Sequence, residues 1–154
     1  MNVVVLAAGK GKRMHSSLPK VLQALAGRPL LDHVLDATAG LADHPRVVVI
    51  GHAADIVRKH YEGRTDIVFA FQQEQLGTGH ALMQALAAIN PEDPLTLVCL
   101  GDVPLLSQKT LMAMAEAGAD GSLVLLTVEL SDPTGYGRIV RNASGAVASI
   151  LSLI

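Results

Sequence analysis

Five short apolar runs, separated by segments with helical spacing, constrain the fold of this 154-residue chain more than any other feature. They lie at residues 3–8, 47–50, 67–71, 95–100 and 123–128. Continuous rather than alternating apolar residues are typical of strands that are covered on both faces, as in a parallel sheet. Between the runs, apolar side chains recur with the period of amphipathic helices. The alternation predicts an α/β fold with a mostly parallel, doubly wound sheet.

Residue types at the segment ends support this prediction. Pro29, a favoured first-turn residue, precedes the helical pattern of residues 31–38, and Ser107 is a suitable N-cap for the pattern that follows it. After Pro133 the pattern changes, because two short strand-like pieces flank a polar turn at residues 142–145. This arrangement predicts an antiparallel hairpin near the C-terminus.

Composition limits the classes of function. Apolar residues make up 50% of the chain, which excludes a disordered protein. The apolar runs are far shorter than the roughly 18–20 residues of a transmembrane helix, so we predict no membrane partner. The formal net charge is −2, with two tyrosines, two phenylalanines and no tryptophan. We therefore predict no nucleic-acid partner, since both a basic surface and aromatic stacking platforms are lacking.

Cys99 is the single cysteine, so no internal disulfide can form, which is typical of a reducing compartment. We predict a cytoplasmic protein, because the N-terminus enters a strand-like run without the features of a secretory signal. The apolar neighbours of Cys99 favour a core position over a nucleophile. The six histidines lack the spacing of a zinc site, and the chain has no Gly-x-Ser-x-Gly elbow.

The loop after the first predicted strand is basic and rich in glycine. Ligands of open α/β sheets bind beyond the carboxyl ends of the strands, where this loop lies. Gly9 and Gly11 allow close backbone approach to a phosphate. The nearby cations are Lys10, Lys12, Arg13 and Lys20. An anion site and a solvated basic turn both fit; Met14 replaces the third glycine of the dinucleotide fingerprint, and the Gly-Lys-Ser/Thr of a P-loop is absent.

Three later loops each allow a functional and a structural interpretation. Residues 72–80 offer amide groups suited to a base edge, or a polar loop that ends in a helix cap at Thr78. Asp102 follows a strand-like run, where it suits Mg²⁺ held together with substrate phosphates, or a turn before Pro104. Residues 132–138 place Arg138 where it could meet an anion, or form a hairpin turn with a surface arginine.

Five segments, taken in order, resemble one family. They lie at residues 6–14, 19–22, 75–81, 101–105 and 132–139. Together they are similar to the N-terminal uridylyltransferase (pyrophosphorylase) domain of the bacterial bifunctional N-acetylglucosamine-1-phosphate uridylyltransferase/glucosamine-1-phosphate acetyltransferase family. Gln-Leu-Gly-Thr-Gly-His and Pro-Thr-Gly-Tyr-Gly-Arg point to this branch among related sugar nucleotidyltransferases. The resemblance implies a Rossmann-like sheet of the nucleotide-diphospho-sugar transferase type.

The resemblance also implies an activity. A Mg²⁺-dependent sugar-1-phosphate nucleotidyltransferase of this kind transfers a uridylyl group from UTP to N-acetylglucosamine 1-phosphate. The products are UDP-N-acetylglucosamine, a cell-envelope precursor, and pyrophosphate. Members of the family are usually homotrimers. Related cytidylyl- and thymidylyltransferases share the first loop and remain an alternative.

The family's functional residues map onto matching positions here. The resemblance implies that Leu6, Ala7, Ala8 and Gly9 line the nucleotide and that the cations Arg13 and Lys20 act in catalysis by neutralising phosphate charge. It implies uracil recognition by Gln72, Gly77 and Thr78. It also assigns Mg²⁺ to Asp102, the sugar side to Gly137, and substrate contacts to Leu100, Gly101 and Asp102.

Two positions depart from the family pattern. Leu100 stands where a tyrosine is frequent, and Ser152 stands where a sugar-binding glutamate is expected. The later asparagines and the acetyltransferase β-helix have no counterpart in residues 1–154. We therefore expect a nucleotidyltransferase domain over residues 1–154 that is truncated, and a binding module that holds UTP without transfer is a second hypothesis.

Overall fold

The computed structural model describes residues 1–11, 16 and 18–151. The chain divides into two compact units, Met1–Val124 and Leu125–Ile154. The first unit contains a four-stranded sheet and four helices in its described part, and the second contains a two-stranded hairpin. Within the described residues, no helix combines the length and apolar character needed to cross a membrane.

The central sheet is parallel throughout. Its strands are β1 (Asn2–Leu6), β4 (Arg46–Ile50), β5 (Ile67–Phe71) and β6 (Thr96–Leu100), in the order β5-β4-β1-β6. Every residue of β1 and β4 is buried, as the continuous apolar runs predict. The outer strands β5 and β6 contain both buried and more exposed residues, and each is paired along one edge only.

Four helices cover the two faces of this sheet. They are α1 (Leu30–Ala37), α2 (Ala54–His60), α3 (Thr78–Ala85) and α4 (Gln108–Ala117). Val3 and Val5 point into a core shared with α1, α2 and α4, whereas Val4 and Leu6 point into a core shared with α3. Successive side chains of a strand face opposite sides, so β1 contributes to both cores. The predicted doubly wound α/β fold is therefore confirmed.

Two of the predicted helix starts agree with the structure. Helix α1 begins directly after Pro29, and the Ser107 hydroxyl caps α4 by accepting a hydrogen bond from the Thr110 amide at 3.1 Å. A short 3-10 helix (Lys20–Leu22) and the two-residue strands β2 (Ala24–Leu25) and β3 (Arg28–Pro29) fill the connection from β1 to α1. This connection brings Lys20 back towards the carboxyl end of the sheet.

The second unit confirms the predicted hairpin. Strands β7 (Arg138–Arg141) and β8 (Val147–Leu151) pair antiparallel, with a bulge between Val140 and Arg141. The Asn142 side chain organises the turn by accepting hydrogen bonds from the Ser144 and Ala146 amides, each at 3.0 Å.

One predicted strand is wrong. The apolar run at residues 123–128 forms no strand, and Leu123 and Val128 are 88% and 70% exposed. An extended apolar run becomes a strand only when a neighbour satisfies its backbone hydrogen bonds. No strand in the described part of the chain pairs with these residues.

Candidate functional site

A cavity of about 560 Å³ lies at the carboxyl ends of β1, β5 and β6. Strand β1 pairs with β4 on one side and with β6 on the other. The chain adds β4 and β5 on one side of β1 and then crosses to the other side to add β6, so the order of strand addition reverses at β1. This reversal is where open α/β sheets bind ligands. The cavity is lined by Leu6, Ala7, Ala8, Gly9, Lys10, Gly11, Lys20, Val21, Gln72, Gln75, Gly77, Thr78, Ala81, Leu100 and Asp102.

The loop that leaves β1 forms one wall of the cavity. The loop is tied to β6, because the Gly101 amide donates a hydrogen bond to the Leu6 carbonyl at 2.9 Å. A Cβ added at Gly101 would lie 3.2 Å from that carbonyl oxygen and 3.3 Å from the Ala7 Cβ. Glycine is therefore favoured at this position, because a Cβ would be tightly packed, and Gly101 supports the wall that Leu100 and Asp102 line.

Lys20 and Asp102 meet inside the cavity. The Lys20 Nζ lies 2.5 Å from the Asp102 Oδ2, and the two side chains are 39% and 30% exposed. Lys20 comes from the 3-10 helix and Asp102 from the turn after β6, so 82 residues of chain separate them. The pair brings a cation and a carboxylate to one point in a site that also contains Lys10.

The donor set fits a divalent cation held jointly with a ligand. Asp102 already faces one cation, the Lys20 ammonium, within the cavity. Within residues 1–11, 16 and 18–151, no group of three or more histidine, cysteine, aspartate or glutamate side chains could hold a metal. One carboxylate plus the phosphate oxygens of a substrate is the usual way proteins bind Mg²⁺. Asp102 would supply the protein's contribution to such a site.

Gln72 and the start of α3 form the other wall. The Gln72 residue is 2% exposed and directly follows β5. Its Nε2 donates to the Gly77 carbonyl at 3.1 Å and lies 3.0 Å from the His80 Nδ1. Gly77 has φ 101° and ψ 179°, a conformation that residues with a Cβ rarely adopt, and it is the N-cap of α3. Thr78 is therefore the first helical residue rather than the cap.

The structure brings most of the expected site residues together. Of those implied by the resemblance, the cavity wall includes Leu6, Ala7, Ala8, Gly9, Lys20, Gln72, Gly77, Thr78, Leu100 and Asp102. Gly137 belongs to the second unit, next to the start of β7. Arg13 lies outside the described residues, as does Ser152.

Sequence reasoning assigned no role to His80 or Gln75. His80 contacts Gln72, and the Gln75 Nε2 donates to the Gln72 carbonyl at 3.3 Å. Both residues lie within the 72–80 segment, whose amide-rich composition was the available signal. The contact between His80 and Gln72 also depends on the backbone conformation of Gly77, which a residue pattern does not describe.

Cys99 has no part in this chemistry. It is 3% exposed on β6, and burial raises the pKa of its thiol to about 11. The thiol therefore stays protonated at neutral pH and packs in the core, as expected from its apolar neighbours.

Comparison with known proteins finds a matching domain family and similar relatives. Residues 3–149 match the family model described as the MobA-like NTP transferase domain. A relative from Cupriavidus metallidurans, called Bifunctional protein GlmU, is 54% identical over 151 residues, which cover 98% of this chain and 33% of the relative. The chain thus spans about a third of the length of this curated relative.

Solved structures give a matching result. A nucleotidyl transferase from Methanothermobacter thermautotroptrophicus superposes with a TM-score of 0.65 at 28% identity, covering 75% of this chain and 56% of that chain. The complex of Rv0371c with manganese, from Mycobacterium tuberculosis, superposes with a TM-score of 0.63 at 25% identity, covering 77% and 59%. Because the family model matches nearly the whole length of this chain, the chain belongs to the family of MobA-like NTP transferase domains.

Proposed function

We propose that this chain, over residues 1–154, is a nucleotidyltransferase domain that transfers a uridylyl group from UTP to N-acetylglucosamine 1-phosphate. The observation that carries the proposal is one cavity lined by the glycine-rich loop, Lys20, Asp102 and Gln72. Groups suited to phosphate, to a divalent cation and to a base edge therefore share one site. The 54% identity to the relative called Bifunctional protein GlmU supports this particular reaction.

The reaction needs no covalent enzyme intermediate. An oxygen of the sugar phosphate attacks the α-phosphorus of UTP, and the bond from that phosphorus to the bridging oxygen of the β-phosphate breaks. Pyrophosphate leaves, and UDP-N-acetylglucosamine is formed. In this scheme the protein contributes by positioning the two substrates and by stabilising the phosphate charge.

Each wall has a role in this proposal. Leu6, Ala7, Ala8 and Gly9 line the nucleotide, while Lys20 neutralises phosphate charge as the negative charge shifts onto pyrophosphate. Arg13 is expected to assist Lys20. Gln72, Gly77 and Thr78 bind the uracil end of UTP, and Gly137 serves the sugar side.

Asp102 is proposed to hold Mg²⁺, with Leu100 and Gly101 providing the surrounding backbone. A cation held there would supply positive charge that stabilises the phosphate groups as negative charge develops. The manganese complex of the structural neighbour supports a divalent cation in this fold.

Pyrophosphate release tests the proposal. The chain is incubated with UTP, N-acetylglucosamine 1-phosphate and Mg²⁺, and we expect Asp102→Asn to reduce release by about 100-fold or more, because a carboxylate that holds a metal contributes several kcal/mol. The control is Asp55→Asn, which removes an exposed carboxylate on α2. Near-normal release by Asp102→Asn would contradict the metal assignment. Calorimetric competition among UTP, CTP and dTTP tests the nucleotide, and preference for CTP would contradict uridylyl transfer.

A further inference from the structure

The orientation of the Gln72 side chain amide is fixed by its neighbours. Its nitrogen lies 3.1 Å from the Gly77 carbonyl oxygen, which can only accept a hydrogen bond. An amide turned the other way would bring two oxygens into contact. The nitrogen of Gln72 therefore faces Gly77, and the same nitrogen lies 3.0 Å from the His80 Nδ1.

This geometry determines how the His80 ring must be protonated. Because the Gln72 nitrogen donates, the His80 Nδ1 must accept, so in the neutral ring the proton is on Nε2. The ring Nε2 lies 3.3 Å from another donor, the Gln84 amide nitrogen, which also donates to the His80 backbone carbonyl at 3.3 Å. A neutral ring has one acceptor nitrogen, and the shorter contact to the buried Gln72 assigns that role to Nδ1. His80 is the third residue of α3, so the helix holds its ring beside Gln72.

These two contacts leave Gln72 with one group to offer to a ligand. A side-chain amide has two N–H hydrogens, and Gln72 uses them on Gly77 and His80. The remaining group is the oxygen Oε1, an acceptor, on a residue that lines the cavity. Uracil and thymine present a donor at N3, whereas cytosine presents a lone pair there. A fixed acceptor therefore favours the first two bases and repels the third.

We propose that His80 is a positioning residue that sets selectivity for uracil and thymine over cytosine. It does so by holding the Gln72 amide with its oxygen towards the base. The proposal rests on the proposed function, in which Gln72 binds the uracil end of UTP. His80 acts through Gln72 and needs no contact with the nucleotide. Without His80, the amide keeps only its bond to Gly77, so turning it to present its nitrogen to cytosine costs one hydrogen bond less.

Nucleotide selectivity of the 154-residue chain tests this role. Dissociation constants for UTP, CTP and dTTP are measured by calorimetry for the wild type and for His80→Leu. We expect the preference for UTP over CTP to fall by about fivefold to tenfold in His80→Leu, the effect of losing one buried hydrogen bond. The preference for UTP over dTTP should stay the same, because both bases carry the N3 donor. General damage to the site would alter all three affinities alike.

Two conservative variants separate positioning from packing. In His80→Asn the amide oxygen Oδ1 is bonded to Cγ, as Nδ1 is in histidine, so it can accept from Gln72 and the preference for UTP should be retained. In His80→Gln the amide lies one bond farther from the backbone, and the preference should fall as in His80→Leu. Met83→Ala, on an exposed position of α3, is the control for changes in the helix.

The outcomes distinguish this inference from the proposed function. If Gln72→Leu leaves UTP affinity unchanged, the uracil site of the proposed function is wrong. If Gln72→Leu weakens UTP but His80→Leu keeps the wild-type preference for UTP over CTP, the role of His80 alone is overturned. Should His80→Leu fail to fold, equal selectivity in His80→Asn and His80→Gln would overturn the role instead.

Discussion

Lys20 and Asp102 hold each other directly, so a ligand that binds either side chain competes with its partner. Both side chains are partly exposed, at 39% and 30%, and an ion pair with that exposure contributes little to stability. The pair is therefore easily opened when a triphosphate brings negative charge to Lys20. In the proposed function, release from Lys20 is also what frees Asp102 for a divalent cation.

The competition predicts opposite effects of Lys20→Met on two ligands. UTP affinity should fall by about tenfold, because a charge-assisted contact to phosphate is lost. Affinity for Mn²⁺ in the absence of nucleotide should rise, because Asp102 loses its competing cation. Calorimetry measures the first effect and paramagnetic relaxation of water protons the second.

Lys59→Met is the matched control, since it removes an exposed lysine from α2. It should leave both affinities close to those of the wild type. A Lys20→Met variant that binds Mn²⁺ no more tightly than the wild type would show that the ion pair does not restrain Asp102.

Individual residues differ in how far the sequence predicts their roles. Asp102 and Lys20 could be proposed because a lone carboxylate and a basic loop follow predicted strands. Their contact could not, since it depends on the 3-10 helix that returns the chain to the sheet. The link from Gln72 to His80 was equally hidden, because it requires the conformation of Gly77.

At the scale of elements, Arg46 and Asp66 connect the starts of β4 and β5 to the end of α1. Arg46 is 6% exposed and donates hydrogen bonds to the Leu35 carbonyl and to Thr38 Oγ1. It also forms an ion pair with Asp66, the residue before β5, which pairs with Arg64 as well. These contacts lie at the amino ends of the strands, away from the cavity at their carboxyl ends.

The pairing makes part of the stability dependent on pH. A hydrogen bond from Arg64, followed by attraction to Arg64 and Arg46, lowers the pKa of Asp66 from 3.8 to about 2. A carboxylate whose pKa is lower in the folded state than in the unfolded state stabilises the fold at any pH above its unfolded pKa. This contribution is lost as the pH falls from the unfolded pKa to the folded pKa. The relevant window therefore runs from about pH 4 down to about pH 2.

We expect Asp66→Asn to lower the free energy of unfolding at pH 7 by about 1 kcal/mol, allowing for the partial exposure of the carboxylate. The difference from wild type should shrink below pH 4. Urea unfolding followed by far-ultraviolet circular dichroism at several pH values measures this, with Glu62→Gln, a change at an exposed carboxylate, as control. A difference that is the same at pH 7 and pH 3 would contradict the role of the ion pairs.

Apolar runs predict some strands of this chain but not others. Strands β4 and β5 follow closely from apolar runs, because their burial is reflected in composition. The run at residues 123–128 has the same composition but forms no strand. Composition indicates that burial of a segment is favourable. A strand also needs a neighbouring strand that pairs with its backbone, and the position of that neighbour depends on the topology of the sheet.

At the scale of the whole molecule, the two units differ sharply in burial. All residues of β1 and β4 in the unit Met1–Val124 are buried, and these strands occupy the centre of the sheet. In the unit Leu125–Ile154, all five residues of β8 are exposed, and its sheet has two strands. A hairpin with two strands is only marginally stable without further burial of its apolar face.

This difference predicts a gradient of hydrogen exchange along the chain. Amides of β1 and β4 should exchange only when the first unit opens globally, whereas those of β7 and β8 should exchange through local opening, at least about 100-fold faster. Mass spectrometry of deuterated peptides measures both in one sample, and β5, paired along one edge, serves as an intermediate reference. Hairpin peptides as slow as those of β1 would contradict the prediction, because such protection requires burial that β8 lacks.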